Sequence, residues 1–177
     1  MYLAKPLKVA MDIVERARIF ATAAHAAVAQ LRKYTMEPYI VHPAEVVSIV
    51  ATVDHTPEML AAAWLHDVVE DTGVTIEVIR AEFGEKVADL VGWLTDVSRP
   101  EQGNRATRKA IDRAHTAMAP AEAQTIKLAD LISNTKTIVK HDANFARVYL
   151  EEKRLLLEVL TKGDASLRDQ AGKNIGE

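Results

Sequence analysis

Apolar residues recur every three or four positions along most of the chain, which is the spacing of an amphipathic helix. This spacing runs from about Leu7 to Leu31 and returns after Pro43, which suits a helix start because the first helical position needs no backbone N–H. The same spacing predicts further helices over residues 58–69, 75–83, 84–94, 106–118, 120–139 and 145–160. The strict alternation of a half-buried strand is absent from the sequence. We therefore predict an all-α fold, a single compact bundle of about seven or eight helices.

The end of the chain has a different pattern. Residues 161–177 are polar and lack a sustained apolar stripe. Segments of this kind bury too little apolar surface to offset the entropy of ordering. We therefore expect residues 1–160 to form the folded domain and residues 161–177 to form a polar, partly disordered C-terminal tail.

Composition excludes several classes of protein. The chain of 177 residues has no cysteine, which rules out a disulfide scaffold, a thiolate zinc site and a cysteine nucleophile. Its net charge of −3 argues against nucleic acid or an anionic membrane as partner. Asp12 and Glu15 interrupt the N-terminal stretch where a signal peptide needs apolar residues. We expect a cytoplasmic protein; the sequence leaves the question of a homo-oligomer open.

Four polar side chains follow the apolar run MLAAAWL almost at once: His66, Asp67, Glu70 and Asp71. Taken alone, His66 is more simply a core histidine and Asp67 a turn residue. However, three neighbouring carboxylates repel one another and are costly to bury without a positive charge. A divalent metal ion would supply that charge.

Asp130 lies inside the apolar run TIKLADLI. A buried carboxylate needs a metal or another cation, and Lys127, three residues earlier, offers an ion pair as the alternative. Asn134, four residues later, shares the same helical face. His42 precedes the proline that starts a helix, and taken alone it is an ordinary residue at such a position.

Two imidazoles and two carboxylates form a ligand set that suits Mn²⁺, Fe²⁺ or Zn²⁺. Such an ion polarises a phosphoryl oxygen and lowers the pKa of a bound water. Glu70 and Asp71 are spare carboxylates nearby that would position this water or shuttle its proton.

Four segments together resemble one known family: RK…PYIVHP at 32–43, HDVVEDT at 66–72, FGEKVADLV at 83–91 and KLAD…N at 127–134. They resemble the hydrolase domain of RelA/SpoT-type alarmone enzymes, within the HD superfamily of metal-dependent phosphohydrolases. The stand-alone form, the small alarmone hydrolase, is the most similar. The resemblance implies an all-helical, Mn²⁺-dependent enzyme that removes the 3′-pyrophosphate from guanosine tetra- or pentaphosphate, yielding pyrophosphate and GDP or GTP.

The resemblance also implies roles for individual residues. The metal would be held by His42, His66, Asp67 and Asp130. The catalytic acids would be Glu70 and Asp71. The nucleotide would be bound by Arg32, Lys33, Asn134 and Thr137.

Three further basic residues follow the polar loop at 98–104, namely Arg105, Arg108 and Lys109. They are candidates for holding the anionic phosphates, although basic residues on a surface helix are often simply solvated. In the helix over 145–160, an apolar stripe stands beside the charged residues at 151–154, which predicts one packed face and one solvated face, with a dimer face as the alternative.

The sequence departs from the family at Ala29, where a glycine is usual, and at Leu131 and Ser133, where a basic residue and a histidine are usual. Because these positions lie near the base and the phosphates, the preference between guanine and adenine alarmones stays open. Two other hypotheses also stay open. One is a different HD-type nucleotide phosphohydrolase, resembling a 5′-nucleotidase; the other is a helical binding module without activity.

Overall fold

The computed structural model describes residues 11–173, which form ten α-helices and one 3₁₀ turn at Pro100–Gln102. Outside helices, this range contains one isolated antiparallel bridge, between Leu31 and Pro38. The prediction of an all-α bundle is confirmed. In chain order the helices are α1 (Ile13–Ala27), α2 (Val41–Val50), α3 (Pro57–Leu65), α4 (Val68–Asp71), α5 (Ile76–Phe83), α6 (Glu85–Leu94), α7 (Arg105–Met118), α8 (Ala121–His141), α9 (Ala143–Val159) and α10 (Ala165–Lys173).

Helix α3 forms the centre of the bundle and packs against α1, α2, α6 and α8. Ala61, Ala62, Ala63 and Leu65 on this helix are fully buried. Alanine has the highest helix propensity, and its small side chain lets neighbouring helices approach closely. Over residues 11–173, the structure contains no helix with the length and hydropathy of a membrane span.

The helix predicted over residues 58–69 is interrupted in the structure. Helix α3 ends at Leu65, and the single turn α4 starts at Val68. The His66 ring nitrogen Nδ1 lies 2.8 Å from the Ala63 carbonyl oxygen, which an uninterrupted helix would pair with the Asp67 N–H. This side-chain bond replaces a backbone bond, and Asp67 takes up φ −98° and ψ −4° between the two helices.

The C-terminal segment also differs from the expected disordered tail. Residues 165–173 form α10, which packs against α8 and α9. Leu167 and Ala171, four positions apart on one face of α10, are buried, and Asp164 Oδ1 accepts a hydrogen bond from the Leu167 N–H. Two well-placed apolar residues and a capping carboxylate thus order a segment whose overall composition is polar. Residues 174–177 lie outside the described part of the chain.

The turn between α5 and α6 depends on Gly84, whose φ of +88° and ψ of 170° are open almost exclusively to glycine. We predict that Gly84→Ala destabilises the fold by about 1–3 kcal/mol through backbone strain alone. A Cβ at Gly84 would meet no atom within 4 Å. The midpoint of urea unfolding measures the effect.

Gly92, inside α6, is the matched control because a Cβ there also meets no atom within 4 Å. Gly92→Ala should stabilise the protein by up to ~1 kcal/mol, since alanine loses less entropy in a helix than glycine does. Equal unfolding midpoints for the two variants would show that the turn does not require a glycine at position 84.

Candidate metal centre

Three helical segments bring two imidazoles and two carboxylates together. Ligand atoms of His42 on α2 and of His66 and Asp67 after α3 all lie within 4.8 Å of one another. Asp130, in the middle of α8, places Oδ1 3.2 Å from His42 Nε2 and 3.9 Å from His66 Nε2. The four residues that the sequence predicts as metal ligands therefore lie at one site.

Both imidazoles direct Nε2 toward the two carboxylates. His66 Nδ1 is bound to a backbone carbonyl oxygen, so that nitrogen must carry the proton. Ser133 Oγ donates its own proton to Glu45 Oε2 over 2.8 Å and so accepts from His42 Nδ1 over 3.0 Å. The Nε2 atoms of both histidines are buried without a hydrogen-bond partner. Two buried imidazole nitrogens facing two carboxylates form a donor set that fits a divalent cation.

The local electrostatics also favour a cation. Burial opposes charging of the His66 ring, yet the Asp67 and Asp130 carboxylates raise the pKa of His66 to about 9. Burial likewise opposes ionisation of Asp130, but the Lys127 ammonium 3.0 Å from Oδ2 and the two imidazoles hold its pKa well below the ordinary value. Asp130 therefore uses one oxygen for the ion pair with Lys127 and the other for the cluster, so the ion pair and the metal are not alternatives.

Further side chains position the ligands, and sequence reasoning missed two of them. Tyr39 donates its hydroxyl to Asp67 Oδ2 over 2.5 Å. Glu45 accepts the Ser133 proton and thereby sets the tautomer of His42. Asn134 donates to Asp130 Oδ1 over 2.7 Å. The PYIVH motif contains Tyr39, but its partner lies 28 positions away and no local spacing reveals the contact.

Glu70 and Asp71 lie on α4, beside the ligand cluster but outside it. The Glu70 carboxylate accepts a hydrogen bond from the Asp96 backbone N–H. Loss of hydration around the carboxylate, together with the nearby Asp96 carboxylate, raises the pKa of Glu70 to about 7. Asp71 Oδ2 accepts from Gln30 Nε2 over 2.8 Å, and Gln30 is itself bound to His25 Nδ1. The two carboxylates after the break are thus held by different segments, Glu70 by the backbone of Asp96 and Asp71 by the side chain of Gln30.

A cavity of about 350 Å³ opens on one side of the cluster. It contains all four residues that the sequence predicts as nucleotide-binding, and Arg32 donates to Thr137 Oγ1 over 3.0 Å. Lys33 lies mostly in solvent, with Nζ 4.8 Å from the Tyr34 ring centre. The other lining residues are Tyr34, Tyr39, Ile138 and Phe145. Aromatic walls and fixed donors are typical of a site for a planar ring.

A second cavity, of about 180 Å³, lies on the other side of Asp130 and is lined from α7, α8 and α9. Arg105 and Lys109 line it and are ion-paired, Arg105 with Glu152 at 2.7 Å and Lys109 with Asp96 at 2.8 Å. Arg108 lines neither cavity, and its Nε is buried without a partner. The structure therefore brings two of the three predicted loop cations to the site, and Asn134 lines both cavities.

Comparison with known proteins agrees with this geometry. The family model of the HD domain matches residues 17–156. A probable GTP pyrophosphokinase of Mycobacterium leprae is 40% identical over 132 residues, which is 74% of this chain and 16% of that protein. A probable guanosine-3′,5′-bis(diphosphate) 3′-pyrophosphohydrolase of Synechocystis is 36% identical over 129 residues, 71% of this chain and 17% of that protein. The chain thus spans less than a fifth of the length of these curated relatives.

A solved structure offers a comparison of similar length. It is that of a metazoan ortholog of SpoT that hydrolyses ppGpp and plays a role in starvation responses. The two structures superpose with a TM-score of 0.82 and 26% sequence identity, covering 93% of this chain and 94% of that one. With the family match, the shared fold and a His/Asp site fit for a divalent metal, the chain belongs to the HD-domain family.

Proposed function

We propose that this chain is a 3′-pyrophosphohydrolase of nucleotide alarmones, with guanosine or adenosine tetra- and pentaphosphates as substrates and Mn²⁺ as the metal. The observation that carries the proposal is the position of Asn134, which donates to Asp130 at the metal centre and lines two cavities of different character. A nucleotide with a diphosphate on its ribose needs this division into a ring-binding side and a phosphate-binding side. The SpoT ortholog supports the assignment because it matches this chain over nearly its full length.

The ligand set supports a divalent ion held by His42, His66, Asp67 and Asp130. When bound, such an ion polarises a phosphoryl oxygen and lowers the pKa of a water molecule beside it. Mixed nitrogen and oxygen donors with no thiolate fit Mn²⁺, with Fe²⁺ and Zn²⁺ as the alternatives.

The chain's own residues would then organise the hydrolysis. The ring-binding cavity with Arg32 and Thr137 would hold the nucleoside, and Glu70 would accept a proton from the attacking water. The water oxygen forms a bond to the phosphorus carried by O3′, the O3′–P bond breaks, and O3′ takes up a proton. Asp71, held by Gln30, would assist in this proton transfer. The products are pyrophosphate and a nucleoside 5′-di- or triphosphate.

The second candidate function, a different HD-type nucleotide phosphohydrolase, would cleave a single phosphate. Incubating the Mn²⁺-loaded protein with ppGpp and with ppApp, and identifying the products by ³¹P NMR, separates the two. We expect pyrophosphate with GDP or ADP. Orthophosphate as the first product would favour the 5′-nucleotidase-like alternative, and intact substrate in both reactions would favour the binding module without activity.

Metal binding can be tested without an activity assay. We predict that Mn²⁺ at 100 times its Kd stabilises the native protein by about 2.7 kcal/mol, seen as a higher Tm. Asp67→Asn keeps the shape of the side chain but removes a charged ligand, so it should lose most of this Tm increase.

The control for this prediction is Asp89→Asn, an exposed acid on α6. It should retain the wild-type response to Mn²⁺. The ligand assignment fails if Asp67→Asn responds to Mn²⁺ as the control does. Repeating the titration with Fe²⁺, Zn²⁺ and Mg²⁺ ranks the metals.

The raised pKa of Glu70 leads to a prediction about pH. Below about pH 7 the carboxyl group is protonated and cannot accept a proton, so kcat/KM should fall as the pH drops through 7. Glu70→Gln should lower kcat by roughly 10²–10⁴-fold and remove this limb of the profile.

Glu77→Gln, on an exposed residue of α5, serves as control and should keep both the rate and the pH profile. A Glu70→Gln enzyme with the wild-type limb near pH 7 would assign the titration to another group and refute the role given to Glu70.

A further inference from the structure

We propose that the 180 Å³ cavity between α7, α8 and α9 binds the terminal phosphate of the substrate's 3′-diphosphate and then the released pyrophosphate, with Lys153 and Arg113 as its anion-binding groups. The proposal rests on the proposed function. It assigns a role to Lys153, which was expected on a solvated face of α9.

Lys153 is buried to an unusual degree for a lysine, with only 1% of its surface exposed. Its Nζ donates to Thr135 Oγ1 over 2.9 Å, and no acidic side chain among residues 11–173 pairs with it. Burial alone lowers the pKa of the Lys153 ammonium to about 8. A buried ammonium that is not paired with an anion is costly, so the position calls for a negative charge that the protein does not provide.

The four acids that line the cavity already have partners. Arg105 pairs with Glu152, Lys109 with Asp96 and Lys127 with Asp130. The fourth lining acid, Asp112, accepts hydrogen bonds from the backbone N–H groups of Val97 and Ser98 and from the Ser98 hydroxyl.

Arg113 also lines the cavity, and within the described part of the chain it has neither an ion pair nor a side-chain hydrogen bond. Two of the five lining cations, Lys153 and Arg113, are therefore left without an acidic partner. Their shared ligand should be an anion.

The size and position of the cavity indicate which anion. A volume of about 180 Å³ is more than ten times the roughly 10–15 Å³ that one water molecule needs, which is room for a phosphate or a diphosphate. It is smaller than the ~300–1,000 Å³ of sites that take whole drug-sized ligands, whereas the cavity lined by Arg32 falls within that range. Because Asp130 lines the small cavity, a phosphate chain entering it would pass the metal centre.

The test uses the full-length, Mn²⁺-loaded protein and inorganic pyrophosphate, with Mn²⁺ kept in excess so that chelation does not strip the site. Calorimetry gives the Kd of pyrophosphate and, separately, of GDP. Lys153→Met should weaken pyrophosphate binding by roughly 10- to 100-fold, the effect of losing a charge-assisted hydrogen bond, and leave GDP binding unchanged. Lys140→Met, an exposed lysine of α8 that lines neither cavity, should change neither constant.

Lys153→Met should fold, because methionine replaces a buried unpaired charge, and its Tm checks this. If the Tm collapses, Arg113→Gln provides the same comparison from a half-buried position. Unchanged pyrophosphate affinity, or an equal loss for pyrophosphate and GDP, would overturn the proposal. Alarmone hydrolysis without pyrophosphate binding would refute the subsite alone, whereas pyrophosphate binding that depends on Lys153 without any hydrolysis would refute the proposed function alone.

Discussion

The burial of Asp130 in the middle of α8 is the constraint on which the rest of the site depends. A carboxylate in a buried stretch of helix, next to the buried residues Ala129 and Leu131 in the sequence, is tolerable only if both of its oxygens meet positive charge or hydrogen-bond donors. Lys127 supplies one such partner from the preceding turn, and Asn134 supplies another from the following turn. These partners leave one side of Oδ1 facing the two imidazoles, so the polar centre of the bundle is organised around a single buried charge.

The break between α3 and α4 connects this buried centre to the surface. If residues 58–71 formed one straight helix, the side chains of Asp67 and of the two acids after it would follow a fixed helical spiral. The His66–Ala63 bond ends α3, and Tyr39 then anchors Asp67 toward the cluster. Helix α4 then starts at Val68, with Glu70 held by the loop after α6 and Asp71 by Gln30. The bond between the His66 side chain and the Ala63 carbonyl thus separates the metal ligands before α4 from the proposed proton acceptors on it.

Periodicity predicted the main helices because each needs only one apolar face, and that face is visible in the local sequence. It did not predict the break at His66, because a side-chain bond to the Ala63 carbonyl leaves the apolar pattern unchanged. It also did not predict that α10 is ordered, because the burial of Leu167 depends on the packing of α10 against α8 and α9. The ligand residues were found through their short motifs. The charged neighbours of Lys153 in the sequence predict a solvated side chain, and this prediction is wrong because the helices packed around α9 bury it.

The net charge of the whole chain and the local charges at the site bear on different kinds of ligand. A net charge of −3 disfavours long polyanions, which gain affinity by neutralising many phosphates over a broad basic surface. A short polyphosphate needs only a few cations with low hydration and fixed positions, which act more strongly than exposed ones because less water screens them. Under the proposed function, the metal held by the four ligands and the buried ammonium of Lys153 would supply these positive charges at two places along the phosphate chain. Under the proposed function, the protein would select a small, highly charged nucleotide because the few positive charges that act at the site are buried there, as Lys153 is.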